Sequence, residues 1–124
     1  MNKYIIGFDQ LTLSDVSHVG GKNASLGEMI SHLAQAGVNV PSGFATTTEA
    51  YREFLVANDL VDRIDNVLTG LDVDDINALT SAGKTIRGWI CDAVLPDTIW
   101  RAISDAYEKL ADSSAGHESV SFAV

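Results

Sequence analysis

The sequence predicts an α+β fold, a mostly helical lobe with a few short strands. Apolar residues recur at helical spacing through most of the chain, and short apolar runs without that spacing occur near its beginning and at its end. The chain has 124 residues, of which 46% are hydrophobic, enough to build the core of one domain or one lobe of a larger domain.

Three short apolar runs are the predicted strands, at residues 4–8, 44–47 and 120–124. Between the first two lies a stretch that we expect to be a loop, residues 11–19, with a turn at Ser14 and Asp15. A polar, glycine-containing loop is predicted over residues 112–118. The last run ends the sequence with no polar tail, so we expect the sequence to continue beyond Val124.

Five helices are predicted between the strands. The first follows Gly21 and stops near Gly37, and either Thr46 or Thr48 can cap the second. Asn58 and Asp59 separate the second from the third, and Pro96 separates the fourth from the fifth. The predicted buried faces, in order, are Leu26, Met29, Ile30 and Leu33; Tyr51, Phe54 and Leu55; Leu60, Val61, Ile64, Val67 and Leu68; Ile76, Leu79, Gly83, Ile86 and Ile90; and Ile99, Ile103, Ala106, Tyr107 and Leu110.

The composition excludes several classes of protein. With 8 Lys and Arg against 17 Asp and Glu, the net charge is -9, which argues against non-specific nucleic-acid binding. The single cysteine, Cys91, leaves no internal disulfide and suits a reducing compartment. No segment approaches the roughly 20 apolar residues of a membrane span, and the first residues do not form a secretory signal peptide. We therefore expect a cytoplasmic protein that binds neither nucleic acid nor membrane.

The best candidate for chemistry is the turn formed by Gly20, Gly21, Lys22 and Asn23, directly before the first predicted helix. Two glycines let the backbone turn tightly and approach a ligand, and the helix start adds free amides and a positive dipole end. Lys22 adds a full positive charge at the same place. These features together suit a phosphate group. From spacing alone this signal is weak, and a Gly-Gly turn before a helix with a solvated lysine is the more common explanation.

Other motifs are absent. A Walker A loop would need glycine at position 16 and Ser or Thr at position 23, where the chain has Val16 and Asn23. The histidines His18, His32 and His117 have no second ligand at metal-binding spacing, so we expect them to be solvated. Cys91 is expected to be a packed thiol and not a nucleophile.

Two blocks of sequence carry a family resemblance. VGGKNASLGEM at positions 19–29 and GVNVPSGFATTTEAY at positions 37–51 resemble the N-terminal signature of phosphoenolpyruvate synthases, the pyruvate, water dikinases. SFAV at positions 121–124 is similar to the start of a strand that continues into an Arg-Ser-Ser segment in that family. Pyruvate phosphate dikinases, glucan water dikinases and rifampicin phosphotransferases are similar in the first block.

The resemblance implies that residues 1–124 are the N-terminal part of an ATP-grasp-like nucleotide-binding domain, in which Lys22 contacts ATP phosphates. It implies an enzyme of gluconeogenic carbon flow that converts ATP, pyruvate and water into phosphoenolpyruvate, AMP and phosphate, with Mg2+. The phosphohistidine carrier, the Mg2+ ligands and the pyruvate site would lie outside these residues. The chain would need the rest of the polypeptide as its partner and would be inactive alone.

Two other functions remain open at the level of the sequence. One is the ATP lobe of a rifampicin-type phosphotransferase or a pyruvate phosphate dikinase. The other is a non-enzymatic helical module that binds a partner protein through Trp89, Trp100 and an acidic surface. A homodimer is also possible, because an apolar strand left unpaired near Val124 would favour self-association.

Overall fold

The computed structural model describes residues 2–113 and 121–124, which fall into two compact units. The first unit contains the described residues of Met1–Tyr51 and Asp97–Val124, and the second is Arg52–Pro96. Helices dominate, and the described residues form two short antiparallel strands. The predicted α+β class is confirmed at this level.

The strands are β1, Ile5–Gly7, and β2, Phe44–Thr46, both shorter than the runs that predict them. They pair with Ile6 opposite Ala45. Two further backbone bonds extend the pairing, from Phe8 N to Gly43 O at 2.9 Å and from Thr47 N to Tyr4 O at 2.9 Å. The sheet thereby fixes the chain segment that leads from β2 into the following helix.

The predicted loop at residues 11–19 is helical in most of its length, so that prediction is wrong. It contains a 3-10 turn, Leu13–Asp15, and a four-residue helix α1, Val16–Val19. The reason is a capping box: Thr12 accepts a bond from Ser14 N, and Asp15 Oδ2 accepts one from Thr12 N at 2.9 Å. Bonds from the Thr12 amide and the Thr12 hydroxyl to Asp15 Oδ2 hold the pKa of the Asp15 carboxyl below its usual value.

Helix α2, Gly21–Gln35, follows α1 and ends as predicted near Gly37. Gly37 has φ 77°, and Val38 N donates to Leu33 O at 2.9 Å, which is the bond that closes a helix at a left-handed glycine.

The buried face of α2 differs from the prediction. Ala24 and Gly27 are its buried residues, whereas Met29 is 47% exposed and Leu26, Ile30 and Leu33 are only partly buried. A Cβ added to Gly27 would overlap Leu11 Cβ and lie 2.7 Å from Leu11 O. The helix therefore packs by its smallest residues, because only they allow so close an approach to the Leu11 backbone. The core cluster consists of Leu11, Val19, Ala24 and Ala45, with Ile6 and Phe8 packed against it.

Helix α3, Thr48–Ala57, begins after a threonine that the sequence analysis did not select. Thr47, and neither Thr46 nor Thr48, accepts the capping bond, from Ala50 N at 3.3 Å. Thr47 is also the buried polar residue of the described chain, and its hydroxyl donates to Lys3 O at 2.6 Å. The prediction failed because the buried bond from Thr47 to Lys3 O determines which of the three threonines caps the helix. The spacing of residues in the sequence does not reveal that bond.

Helix α6, Asp97–Ser113, completes the first unit and buries Ile99 and Ala102. Pro96 separates it from the preceding helix, as predicted, and the helix begins at the next residue, Asp97. It also extends into the predicted loop at 112–118. Residues 114–120, which include the rest of that loop and Val120, lie outside the described residues.

Ser121 to Val124 have no regular secondary structure, so the strand predicted there is wrong for these residues. A strand requires a hydrogen-bonded neighbour, and these four residues pair with neither β1 nor β2. Phe122 instead lies against Tyr107, with ring centroids 4.6 Å apart. Self-association of the chain stays a prediction.

The second unit contains α4, Leu60–Leu68, and α5, Ile76–Asp92. Asp59 separates α3 from α4 by a left-handed conformation at φ 53°. Asn58 donates to Val94 O at 2.9 Å and accepts from Val94 N at 3.0 Å. The Arg63 guanidinium lies 4.2 Å from the Trp89 ring centroid.

Cys91 is exposed, so the prediction of a packed thiol is wrong. In the part of the chain that the structure describes, no helix could cross a membrane.

Gly27→Ala tests the close packing of α2. We expect it to lower the free energy of unfolding by about 1–3 kcal/mol, because its methyl group overlaps backbone atoms of Leu11. Gly88→Ala in α5 is the matched control, since its Cβ meets nothing within 4 Å and alanine favours a helix. Urea unfolding of both variants provides the measurement, and equal stabilities would contradict the packing described.

Candidate functional site

A glycine turn joins α1 to α2. Gly20 has φ 81° and ψ 161°, a backbone conformation that residues with a side chain essentially never adopt. Its amide donates to Val16 O at 2.8 Å, closing α1, and its carbonyl accepts from Ala24 N at 3.1 Å, opening α2. One residue thus ends a helix and starts the next, and this explains why glycine is required there.

The first amides of α2 have no partner in the described protein. Because the residue before the helix is glycine, no side chain caps it. The amides of Gly21, Lys22 and Asn23 donate to no described group, as expected for a first helical turn without a cap. Together they form the positive end of the dipole of a 15-residue helix.

The side chain of Lys22 projects from this helix start. It is exposed and forms no ion pair or hydrogen bond with any residue in 2–113 or 121–124. An unpaired ammonium group and three unpaired amides therefore lie within one turn of helix. This arrangement presents full and partial positive charge to one small anion.

Gly21 leaves open space at the same turn. A Cβ added to Gly21 would meet nothing within 4 Å among the described atoms. Neither its backbone conformation nor its packing explains why glycine occupies this position. A glycine here leaves the backbone amides accessible to a bound group.

Asn23 supports the turn with its side chain. Its Nδ2 donates to Val19 O at 2.9 Å, which satisfies a carbonyl at the end of α1. The backbone amide of Asn23 has no partner among the described residues. Asn23 is one of the predicted phosphate-binding residues, and its side chain joins the start of α2 to the end of α1.

The four predicted site residues lie together, but outside a cleft in the first unit. That cleft, of about 480 Å3, lies between β1, the segment Ser42 to Phe44 and α6, and includes Asp105 and Lys109. None of Gly20, Gly21, Lys22 or Asn23 lines it. The glycine turn is thus an open surface site.

Two long-range contacts near the turn were not predicted. The Thr48 hydroxyl lies 3.1 Å from Ser17 O, and His18 Nδ1 lies 3.3 Å from Glu49 Oε1. His18 is exposed, as predicted, but it is neither isolated nor in a loop. It belongs to α1 and pairs with Glu49, 31 positions later, a relation that local spacing cannot reveal.

The remaining histidines and acids indicate no metal centre in the described ranges. His32 Nδ1 lies 2.8 Å from Glu28 O, within one turn of α2, and His117 lies outside the described residues. In 2–113 and 121–124, no group of three His, Cys, Asp or Glu side chains could hold a metal ion.

The chain belongs to the family described as "Pyruvate phosphate dikinase, AMP/ATP-binding domain", whose model matches residues 16–124. The match begins with α1 and includes the whole glycine turn. It confirms the wider family that the sequence blocks resemble.

Within that family, the chain is similar to proteins named phosphoenolpyruvate synthase. It is 51% identical to the one from Pseudomonas aeruginosa over 124 residues, 50% to that from Neisseria meningitidis over 123, and 46% to that from Escherichia coli over 120. These alignments cover 100%, 99% and 97% of the chain but 15% of each relative. The resemblance to phosphoenolpyruvate synthases is confirmed, and the relatives do not favour the phosphotransferase or the helical module.

The two glycines are expected to differ in their effect on stability. Gly20→Ala forces a side chain into a glycine-only conformation and should cost about 1–3 kcal/mol. Gly21→Ala adds a methyl group in open space at a helix start and should change the free energy of unfolding by less than about 1 kcal/mol. Urea unfolding of both variants measures the difference. Equal losses would show that the turn is not as described.

Proposed function

We propose that this chain is part of the ATP-binding domain of a phosphoenolpyruvate synthase, and that its glycine turn holds phosphate oxygens of ATP. One observation carries the proposal: at the start of α2, the unpaired amides of Gly21, Lys22 and Asn23 adjoin the unpaired Lys22 side chain. The family's description as an AMP/ATP-binding domain supports a nucleotide as the source of the phosphate.

The chemistry of phosphoryl transfer explains why such a site is useful. Negative charge on the phosphate oxygens must be neutralised and the reacting group held in line, while the protein contributes little covalent chemistry. Backbone amides held by a helix are already oriented, so they need little rearrangement as charge develops. Lys22 adds a mobile positive charge beside them. We propose that Lys22 contacts the phosphates directly and that Gly20 and Gly21 shape the backbone around them.

The chain spans about 15% of the length of the synthases it matches, so the remaining parts of the site are proposed to lie elsewhere in the polypeptide. We propose that residues 1–124 form the N-terminal part of an ATP-grasp-like domain. In the part of the chain that the structure describes, no three His, Cys, Asp or Glu side chains are grouped as metal ligands. Any Mg2+ that accompanies ATP would take its protein ligands from other parts of the polypeptide.

For the whole protein, we propose the reaction of ATP, pyruvate and water that yields phosphoenolpyruvate, AMP and phosphate, through a histidine on another domain. The names of the relatives support this activity. We further propose a cytoplasmic enzyme of gluconeogenic metabolism. The 124 residues alone are expected to be inactive.

Lys22→Ala tests the phosphate-binding role in the natural full-length polypeptide. Pyruvate-dependent formation of AMP should fall by about 10²–10³-fold, because one charged contact to the transferred group is lost. The thermal midpoint should not change, since the Lys22 side chain contacts no described residue. Steady-state assay of AMP, with and without pyruvate, provides the measurement.

Lys84→Ala is the matched control, an exposed lysine on helix α5 that also has no partner in the described residues. Its turnover should equal that of the unmodified protein. Unchanged turnover in Lys22→Ala would remove Lys22 from the site. AMP formation that depends on a drug hydroxyl instead of pyruvate would assign the polypeptide to the phosphotransferases.

A further inference from the structure

Helix α1 is too short to hold its own position. It has four residues, one turn, and a helix of that length is not stable by itself because its nucleation is unfavourable. Its place in the first unit therefore depends on contacts with neighbouring elements. Since Gly20 directly follows α1, contacts that hold α1 in place also hold the start of the glycine turn.

The first contact satisfies a carbonyl at the end of α1. Ser17 O accepts no bond from the Gly21 amide four residues later, because the chain turns at Gly20. The Thr48 hydroxyl lies 3.1 Å from Ser17 O and takes the place of that amide as donor. Its alternative acceptor, Glu49 Oε2, is more distant at 3.4 Å. A bond missing from the helix is thus supplied by a side chain of α3.

The second contact joins the residue after Ser17 in α1 to the residue after Thr48 in α3. His18 Nδ1 lies 3.3 Å from Glu49 Oε1. Two bonds hold the pKa of the Glu49 carboxyl below its usual value, one from the backbone amide of Glu49 itself and one from the His18 ring. The carboxylate is therefore ionised at neutral pH and can accept from the ring. Two successive residues of α1 are tied to two successive residues of α3.

The start of α3 is itself a fixed point. Thr47, directly before Thr48, is 3% exposed, and three of its bonds fix its place: its hydroxyl donates to Lys3 O and accepts from Ala50 N, and its amide donates to Tyr4 O. Its carbonyl also accepts from Tyr51 N within α3. These bonds anchor the first turn of α3 to the chain beside β1. Thr48 and Glu49 therefore act from a rigid support.

We propose that Thr48 and Glu49 are positioning residues for phosphate binding, which hold α1 and thereby orient the three amides after Gly20. This positioning role rests on the proposed function, because it assumes that the glycine turn binds phosphate. Neither side chain is expected to touch the nucleotide. Their effect should reach it through Ser17, His18 and the backbone of Gly20.

The test measures the affinity of the natural full-length polypeptide for ATP. Thr48→Val and Glu49→Ala should each raise the Kd by about three- to fivefold, as expected for partly exposed polar contacts, and together by roughly tenfold. Thr48→Ser keeps the hydroxyl and should restore the affinity. Asp97→Ala is the matched control for Glu49→Ala, because Asp97 is also an acid in the first turn of a helix but pairs with no described histidine.

Adenosine, which has no phosphate, distinguishes positioning from a general loss of stability. If Thr48 and Glu49 act through the amides after Gly20, Thr48→Val and Glu49→Ala should raise the Kd for ATP and leave the Kd for adenosine unchanged. An equal rise for both ligands would overturn the positioning role, as would an unchanged Kd for ATP in both single variants. If Lys22→Ala leaves the Kd for ATP unchanged, the proposed function is wrong. Thr48→Val and Glu49→Ala cannot give that result, because both variants keep Lys22.

Discussion

The uncapped start of α2 is the constraint on which the rest of the site depends. A helix normally begins with a side chain that satisfies one of its free amides. Here Gly20 occupies that place in a conformation that excludes other residues, and it offers no side chain. The free amides of the first turn are left exposed beside Lys22. The loss of a cap is thus the feature that makes the helix start available to an anion.

This local arrangement requires support from the packing of the first unit. Helix α2 lies so close to Leu11 that only glycine fits at position 27, and Ala24 is completely buried one turn earlier. A helix held this firmly can leave its first turn unsatisfied without unwinding. On the other side of the turn, α1 buries Val19 in the core cluster, and its neighbours Ser17 and His18 contact α3. The side of the turn before Gly20 is therefore stabilised by core packing at one residue and by polar contacts with α3 at two others.

Local chemistry in the sequence predicted part of this structure. The break at Gly37, the short strands around Ile6 and Ala45, and the grouping of Gly20 with Lys22 all follow from backbone preferences of individual residues. The long-range choices could not be predicted. Thr47 was selected over Thr46 and Thr48 by a bond to Lys3, 44 positions earlier. The burial of Ala24 and Gly27 instead of Met29 was decided by how closely Leu11 approaches, and a hydrophobic pattern gives large residues precedence over small ones.

Hydrogen exchange at the start of α2 tests the central claim most directly. In the natural full-length polypeptide, mass spectrometry can follow the peptide that contains Gly21, Lys22 and Asn23 with ATP, with adenosine, and without ligand. Amides that donate to phosphate oxygens exchange more slowly. We predict slower exchange with ATP and no change with adenosine, which lacks phosphate. Equal exchange under saturating ATP and without ligand would contradict the account.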